Sequence, residues 1–110
     1  MPSAFHLILT TVPSRSKARQ ISQHLLKKKL AACVNILEGV ESFFWWEGKI
    51  GRTKECLLFI KTRASYFSRV QRFLKQNHPY EVPEIIAFSI EKGNAAYLDW
   101  MRAVTARTNI

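Results

Sequence analysis

The residues most able to do chemistry lie in one short stretch, His78-Pro79-Tyr80-Glu81-Val82-Pro83-Glu84, where an imidazole, a phenol and two carboxylates fall within seven positions. Nitrogen and oxygen donors of this kind bind a divalent cation or a small polar ligand. The two prolines hold the stretch stiff where a helix gives way to a strand. On spacing alone the plainer reading, a rigid turn whose groups stop the helix and make hydrogen bonds, has the stronger claim. Other candidates are weaker. His6 and His24 have no carboxylate or thiol at a spacing that makes a dyad. No serine sits in Gly-x-Ser-x-Gly, and no helix follows Gly48 and Gly51 to make a phosphate loop. Cys33 and Cys56 form neither Cys-x-x-Cys nor a zinc-type spacing. The chain is therefore expected not to be an enzyme.

The 110 residues carry 17 Lys and Arg against 8 Asp and Glu, a formal net charge of +9. The charge is clustered. Arg15, Lys17, Arg19, Lys27, Lys28 and Lys29 form one run without an acid, and Lys61, Arg63, Arg69, Arg72 and Lys75 form another. A nucleic-acid-binding module using a basic helical face is the alternative function this allows. The aromatic signature of RNA-recognition modules is absent: the nearest strand reads Arg52-Thr-Lys-Glu-Cys-Leu-Leu-Phe-Ile60. Nucleic acid is accordingly the less favoured partner, and a solvated basic face the expected one. No run of about 18 apolar residues is present to span a membrane. The opening Met-Pro-Ser-Ala-Phe-His lacks the charged start and apolar stretch of a signal peptide, which predicts a cytoplasmic location.

The elements that must position these groups follow from periodicity. Phe5 to Val12 reads as a strand closed by Pro13. Ser14 or Ser16 caps a helix through Lys29, with Ala18, Ile21 and Leu25 on its buried stripe. Ala31 to Trp46 reads as a long strand with a bulge at Glu38-Gly39, and Glu47-Gly48-Lys49 turns it into a returning strand through Ile60. Phe67, Val70, Phe73 and Leu74 mark a second helix over 64–77, stopped by His78-Pro79. Glu84 to Ile90 is a strand, and Tyr97, Trp100, Met101 and Val104 mark a final helix. The order is an α+β arrangement of ferredoxin-like βαββαβ type: an antiparallel sheet with two helices on one face, a long β2-β3 hairpin and an extra C-terminal helix.

Pairing the hairpin about Gly48-Lys49 sets Cys56 opposite Glu41 and leaves Cys33 beyond the returning strand. The two thiols are then about 25 Å apart at strand rise, too far for a disulfide. Next to the turn stand Phe43, Phe44, Trp45 and Trp46, far from the helix-covered end. Alternation puts two on each face, and together they exceed the ~300–600 Å² apolar patch a monomer exposes. A partner chain is expected to cover them.

Several segments together resemble the CutA family of divalent-cation tolerance proteins. They are Lys29-Leu-Ala-Ala-Cys-Val-Asn35, Ser42-Phe-Phe-Trp-Trp-Glu-Gly-Lys49, Glu55, Lys61-Thr62, His78-Pro-Tyr-Glu-Val-Pro-Glu-Ile85 and Tyr97-Leu-Asp-Trp100. The resemblance implies a single domain over 1–110, assembled as a homotrimer like the nitrogen-regulatory PII proteins, with Phe43, Phe44, Trp45 and Trp46 at the trimer interface. It implies a non-catalytic role and a cleft between subunits near Lys61, His78, Tyr80 and Glu84 that takes a metal ion or a small ligand. Bacterial members assigned a copper site use a cysteine near the end of strand one and two adjacent histidines. Thr10 and Asn77-His78 stand at those positions here, so His78 is the metal ligand carried over and Cu²⁺ or another divalent cation is expected to bind weakly.

Overall fold

The computed structural model describes residues 3–107. In chain order it contains β1 (Phe5–Val12), α1 (Arg15–Lys27), β2 (Cys33–Trp46), β3 (Lys49–Arg63), a 3-10 turn (Ala64–Tyr66) running into α2 (Phe67–Asn77), β4 (Ile86–Ser89) and α3 (Ala95–Val104). The four strands form one antiparallel sheet in the order β2-β3-β1-β4.

Alternation along β1 and β3 divides the residues between two faces. Ile8, Val12, Cys56, Leu58 and Ile60 point to one side, where Ala18, Ile21 and Leu25 of α1 and Val70, Phe73 and Leu74 of α2 close over them as one buried core. These helix positions are the stripes expected from periodicity. Ser14 starts α1, its Oγ accepting from the Lys17 N–H at 3.1 Å. Asn94 starts α3 in the same way, Oδ1 accepting from Ala96 and Tyr97.

Helix α1 ends in a Schellman turn: the Leu30 N–H donates to Leu25 O at 2.9 Å and the Lys29 N–H to Leu26 O at 3.0 Å. The residue this turn holds in the left-handed region is Lys29, at φ 57°, where glycine is the residue without steric cost. Lys29→Gly is therefore expected to raise stability by about 1 kcal/mol. The urea midpoint should move up with the slope unchanged; an unmoved midpoint would show that the lysine is unstrained.

The opposite face is different. α3 covers only its Phe5 end, where Phe5, Ala32 and Met101 pack with Ile90 and Leu98. Tyr66 Oη and Arg63 Nε donate to Thr105, at 2.6 and 2.9 Å, and tie the end of α3 down. Of the α3 stripe expected from sequence only Met101 is buried; Tyr97, Trp100 and Val104 stay exposed. Beyond α3 the face carries half-buried Leu7, Leu9, Leu57 and Phe59 with exposed Leu37, Ile86 and Phe88.

The hairpin register differs from the expectation. Trp46 pairs with Lys49 and Val40 with Glu55, so Cys56 stands against the Glu38-Gly39 bulge and not Glu41. The turn is the two-residue Glu47-Gly48 loop, both residues at positive φ, which moves the pairing centre back toward Glu47. The returning strand also runs on to Arg63, so Cys33 lies inside the ladder opposite Lys61. Both cysteines are free. Burial, with Glu38 adding, pushes the Cys56 thiol pKa up. Strand β4 is shorter than the expected Glu84 to Ile90: pairing with β1 begins at Ile86 and ends at Ser89.

Past the bulge the ladder places Phe43 and Trp45 on the helical side and Phe44 and Trp46 on the other. Neither pair is covered: Phe43 and Trp45 are 64% and 72% exposed, Phe44 and Trp46 41% and 47%. Gly51 makes room for the Phe44 ring, which would lie 2.7 Å from a β-carbon at that position.

Candidate functional site

Strand β1 ends at Val12, and the loop after α2 comes back across that end. His78 leaves the helix in an extended conformation and turns its ring to β1. Its Nε2 lies 2.7 Å from the Thr11 carbonyl, and its Nδ1 accepts from the Tyr80 N–H at 3.1 Å. With Nδ1 accepting, Nε2 must carry the proton and donate, so the ring is neutral and both nitrogens are engaged. The two rings lie against each other, centroids 4.9 Å apart. Tyr80 Oη continues to Glu55 on β3, donating to Oε2 at 2.7 Å. Glu55 is buried at 8% exposure, a carboxylate on the otherwise apolar face of Leu57 and Phe59.

Burial is the first cause of two shifted pKa values here. It lowers the His78 imidazole below its ordinary 6.5, and the Thr11 carbonyl and Glu55 offset part of that. It raises the Tyr80 phenol well above its usual range, the hydrogen bond to Glu55 and the charge of Glu55 adding to the effect. A histidine whose folded pKa lies below its unfolded one stabilises the fold fully above about pH 6.5 and loses that contribution as pH falls toward the folded value. The urea midpoint is expected to drop between pH 7 and pH 5, and to drop less in His78→Gln. Parallel curves for the two proteins would remove His78 as the cause.

The structure brings His78 and Tyr80 into contact and adds Glu55, which sequence reasoning does not single out as a site residue. An acid within the run Glu55-Cys-Leu-Leu-Phe-Ile60, at the parity of Leu57 and Phe59, was the available signal. Glu84 is exposed on the approach to β4. Lys61 is not part of this group. It lies six residues along β3 from Glu55, about 20 Å at strand rise, with its Nζ over the Tyr97 ring. Asn77 turns away, its side-chain amide donating to Phe73 O at 2.8 Å. Thr10 is fully buried, on the helical side of β1. Among the described residues no three His, Cys, Asp or Glu side chains converge as a metal cage. A cation reaching His78 must displace either the Tyr80 amide or the Thr11 carbonyl.

A βαββαβ sheet with two helices on one face, a partly bare apolar face and a hairpin outrunning its helices defines a ferredoxin-like α+β fold. Comparison with known proteins narrows this class. The CutA1 divalent ion tolerance protein family matches residues 6–104, and the chain belongs to that family. It is 44% identical over 99 residues to the divalent-cation tolerance protein CutA of Thermus thermophilus, covering 90% of this chain and 96% of that protein. It is 43% identical over 99 residues to the chloroplastic CutA 1 of Oryza sativa, covering 90% of this chain but 56% of the rice protein. The solved structure of CutA1 from Oryza sativa agrees with a TM-score of 0.92 at 40% identity, covering 97% of this chain and 98% of that one. The periplasmic divalent cation tolerance protein CutA from Archaeoglobus fulgidus gives 0.91 at 43% identity, with 93% and 99% covered. Among the described residues no helix is long and apolar enough to cross a membrane.

Proposed function

We propose that the chain works as a non-catalytic homotrimer of the divalent-cation tolerance type, holding a metal ion or a small polar ligand in clefts between subunits. The observation that carries this is the separation of Lys61 from the His78–Tyr80–Glu55 group along β3. In this reading each chain contributes Lys61 near the end of β3 and the His78–Tyr80–Glu55 group about 20 Å back along it, and a second copy brings the missing half of the cleft. The uncovered apolar face and hairpin aromatics supply the surface for such an assembly. The accessible area of the single chain is 7461 Å², against roughly 6,200 Å² for a folded monomer of this mass.

In this reading Glu84 and the Tyr80–Glu55 pair face the ligand from one subunit and Lys61 from the next. Copper(II) is the divalent ion that imidazole and carboxylate donors hold best. It binds weakly, because His78 gives up a hydrogen bond to reach it. Two free thiols fit a reducing compartment, and the cytoplasm is the proposed location. Calorimetric titration with Cu²⁺ tests the assignment. Binding should hold at pH 6.5 and weaken below it, as pH falls toward the lowered His78 pKa, disappear for the most part in His78→Ala, and change little in Cys33→Ser. Full binding by His78→Ala would place the metal elsewhere.

A further inference from the structure

The whole formal charge of +9 belongs to the helical layer. Arg15, Lys17, Arg19, Lys27, Lys28 and Lys29 on and after α1, with Arg69, Arg72 and Lys75 on α2, make nine cations with no acid among them; the rest of the chain has eight cations and eight acids. All nine except half-buried Lys17 are exposed. One carboxylate from the sheet reaches this layer, Glu38, 3.7 Å from Arg15 with both side chains more than half exposed. A solubilising surface needs no such separation, since mixed charges serve as well.

The layer also has a shaped part. Where the end of α1 meets α2, a groove of about 310 Å³ is lined by Lys28, Arg69, Arg72, Phe73, Gln76 and Arg107. Arg107 is anchored, its Nη1 donating to the Lys28 carbonyl at 3.2 Å, and Arg69 lies over the Tyr66 ring at 5.1 Å. Four cations are thus gathered within one groove, two of them held. The next residue, Lys29, keeps a positive charge in a backbone conformation that favours glycine.

We infer that this helical layer binds the phosphate backbone of double-stranded nucleic acid, without reading its sequence. Helix α1 is about 20 Å long and has cations at both ends, enough to reach the two backbones flanking a major groove ~12 Å wide. The guanidinium and amide donors of the groove suit phosphate oxygens. Among the described residues of α1 and α2 the one exposed large apolar side chain is Leu26. Phe73 and Tyr66 are buried, so the layer offers no exposed aromatic to stack single-stranded bases and no broad apolar wedge to enter a lipid surface. This surface is separate from the proposed cleft, so either can fail without the other.

The test is fluorescence anisotropy with a labelled 20-base-pair DNA duplex of mixed sequence, titrated at 50 and at 200 mM salt. Affinity should fall steeply with salt and be indifferent to sequence. Arg69→Ala with Arg72→Ala should weaken binding at least ~10-fold at low salt and reduce the slope of log affinity on log salt by about 1.8. Lys54→Ala with Lys92→Ala removes the same net charge from outside the layer and should leave both nearly unchanged. Equal losses in the two pairs would mean that net charge alone attracts the duplex, and the inference falls. It falls also if the duplex is not bound at 50 mM salt, or if vesicles of anionic lipid are bound in its place.

Discussion

Trp45→Ala combined with Trp46→Ala is expected to convert an assembly of about three 12.7 kDa chains into smaller species or aggregate. The two indoles point to opposite sides of the hairpin, at 72% and 47% exposure, and neither has a helix over it. A tryptophan buries on the order of 150–250 Å² when a partner covers it, and its truncation in a packed environment costs about 3–5 kcal/mol. Across the symmetric contacts of a closed ring each loss is repeated. In a monomer the same changes would remove exposed groups from a hairpin tip and alter little. Sedimentation of the wild type decides first: a 12.7 kDa species at micromolar concentration ends the assembly proposal.

The second large effect is expected at Tyr80→Phe. It deletes the hydroxyl that donates to Glu55 Oε2 while leaving the carboxylate buried on an apolar face. An unsatisfied buried acceptor costs about 1–3 kcal/mol, with charged groups at the upper end. Glu55→Leu in the same chain should recover most of that loss, because replacing both partners by apolar groups leaves nothing unpaired. Denaturant curves for wild type, single and double variants at one chain concentration would show it. If Tyr80→Phe lies within ~0.3 kcal/mol of wild type, Glu55 has another partner and the pair is not what holds the loop after α2.

Much of this architecture was readable from periodicity, because each element has one wet and one dry side. Ala18, Ile21 and Leu25, and Val70, Phe73 and Leu74, could only be helix stripes, and they are buried as such. His78-Pro79 ends α2 because a residue before proline leaves helical geometry. The hairpin register was harder. A shift of one residue in the turn carries every later pair with it, and the sequence pattern points to Gly48-Lys49 where the chain uses Glu47-Gly48. Glycine next to a long polar residue looks like either. The site was the least legible part. His78 and Tyr80 are close in sequence, but Glu55 and Lys61 share one strand and one parity. Local pattern alone does not tell which of the two meets the loop after α2. The distance along β3 decides that for a single chain.

The position of β1 in the sheet has a consequence for synthesis. It lies between β3 and β4, both of which follow it in the chain. Phe5 meets Arg63 about 58 residues later. At ribosomal speeds of ~5–20 residues per second, that is roughly 3–12 s during which β1 has no ladder on either side. The segment is Phe-His-Leu-Ile-Leu-Thr-Thr-Val, without a formal charge or a proline to discourage pairing with a neighbouring nascent chain. On a polysome this strand stays unpaired within its own chain until β3 has emerged.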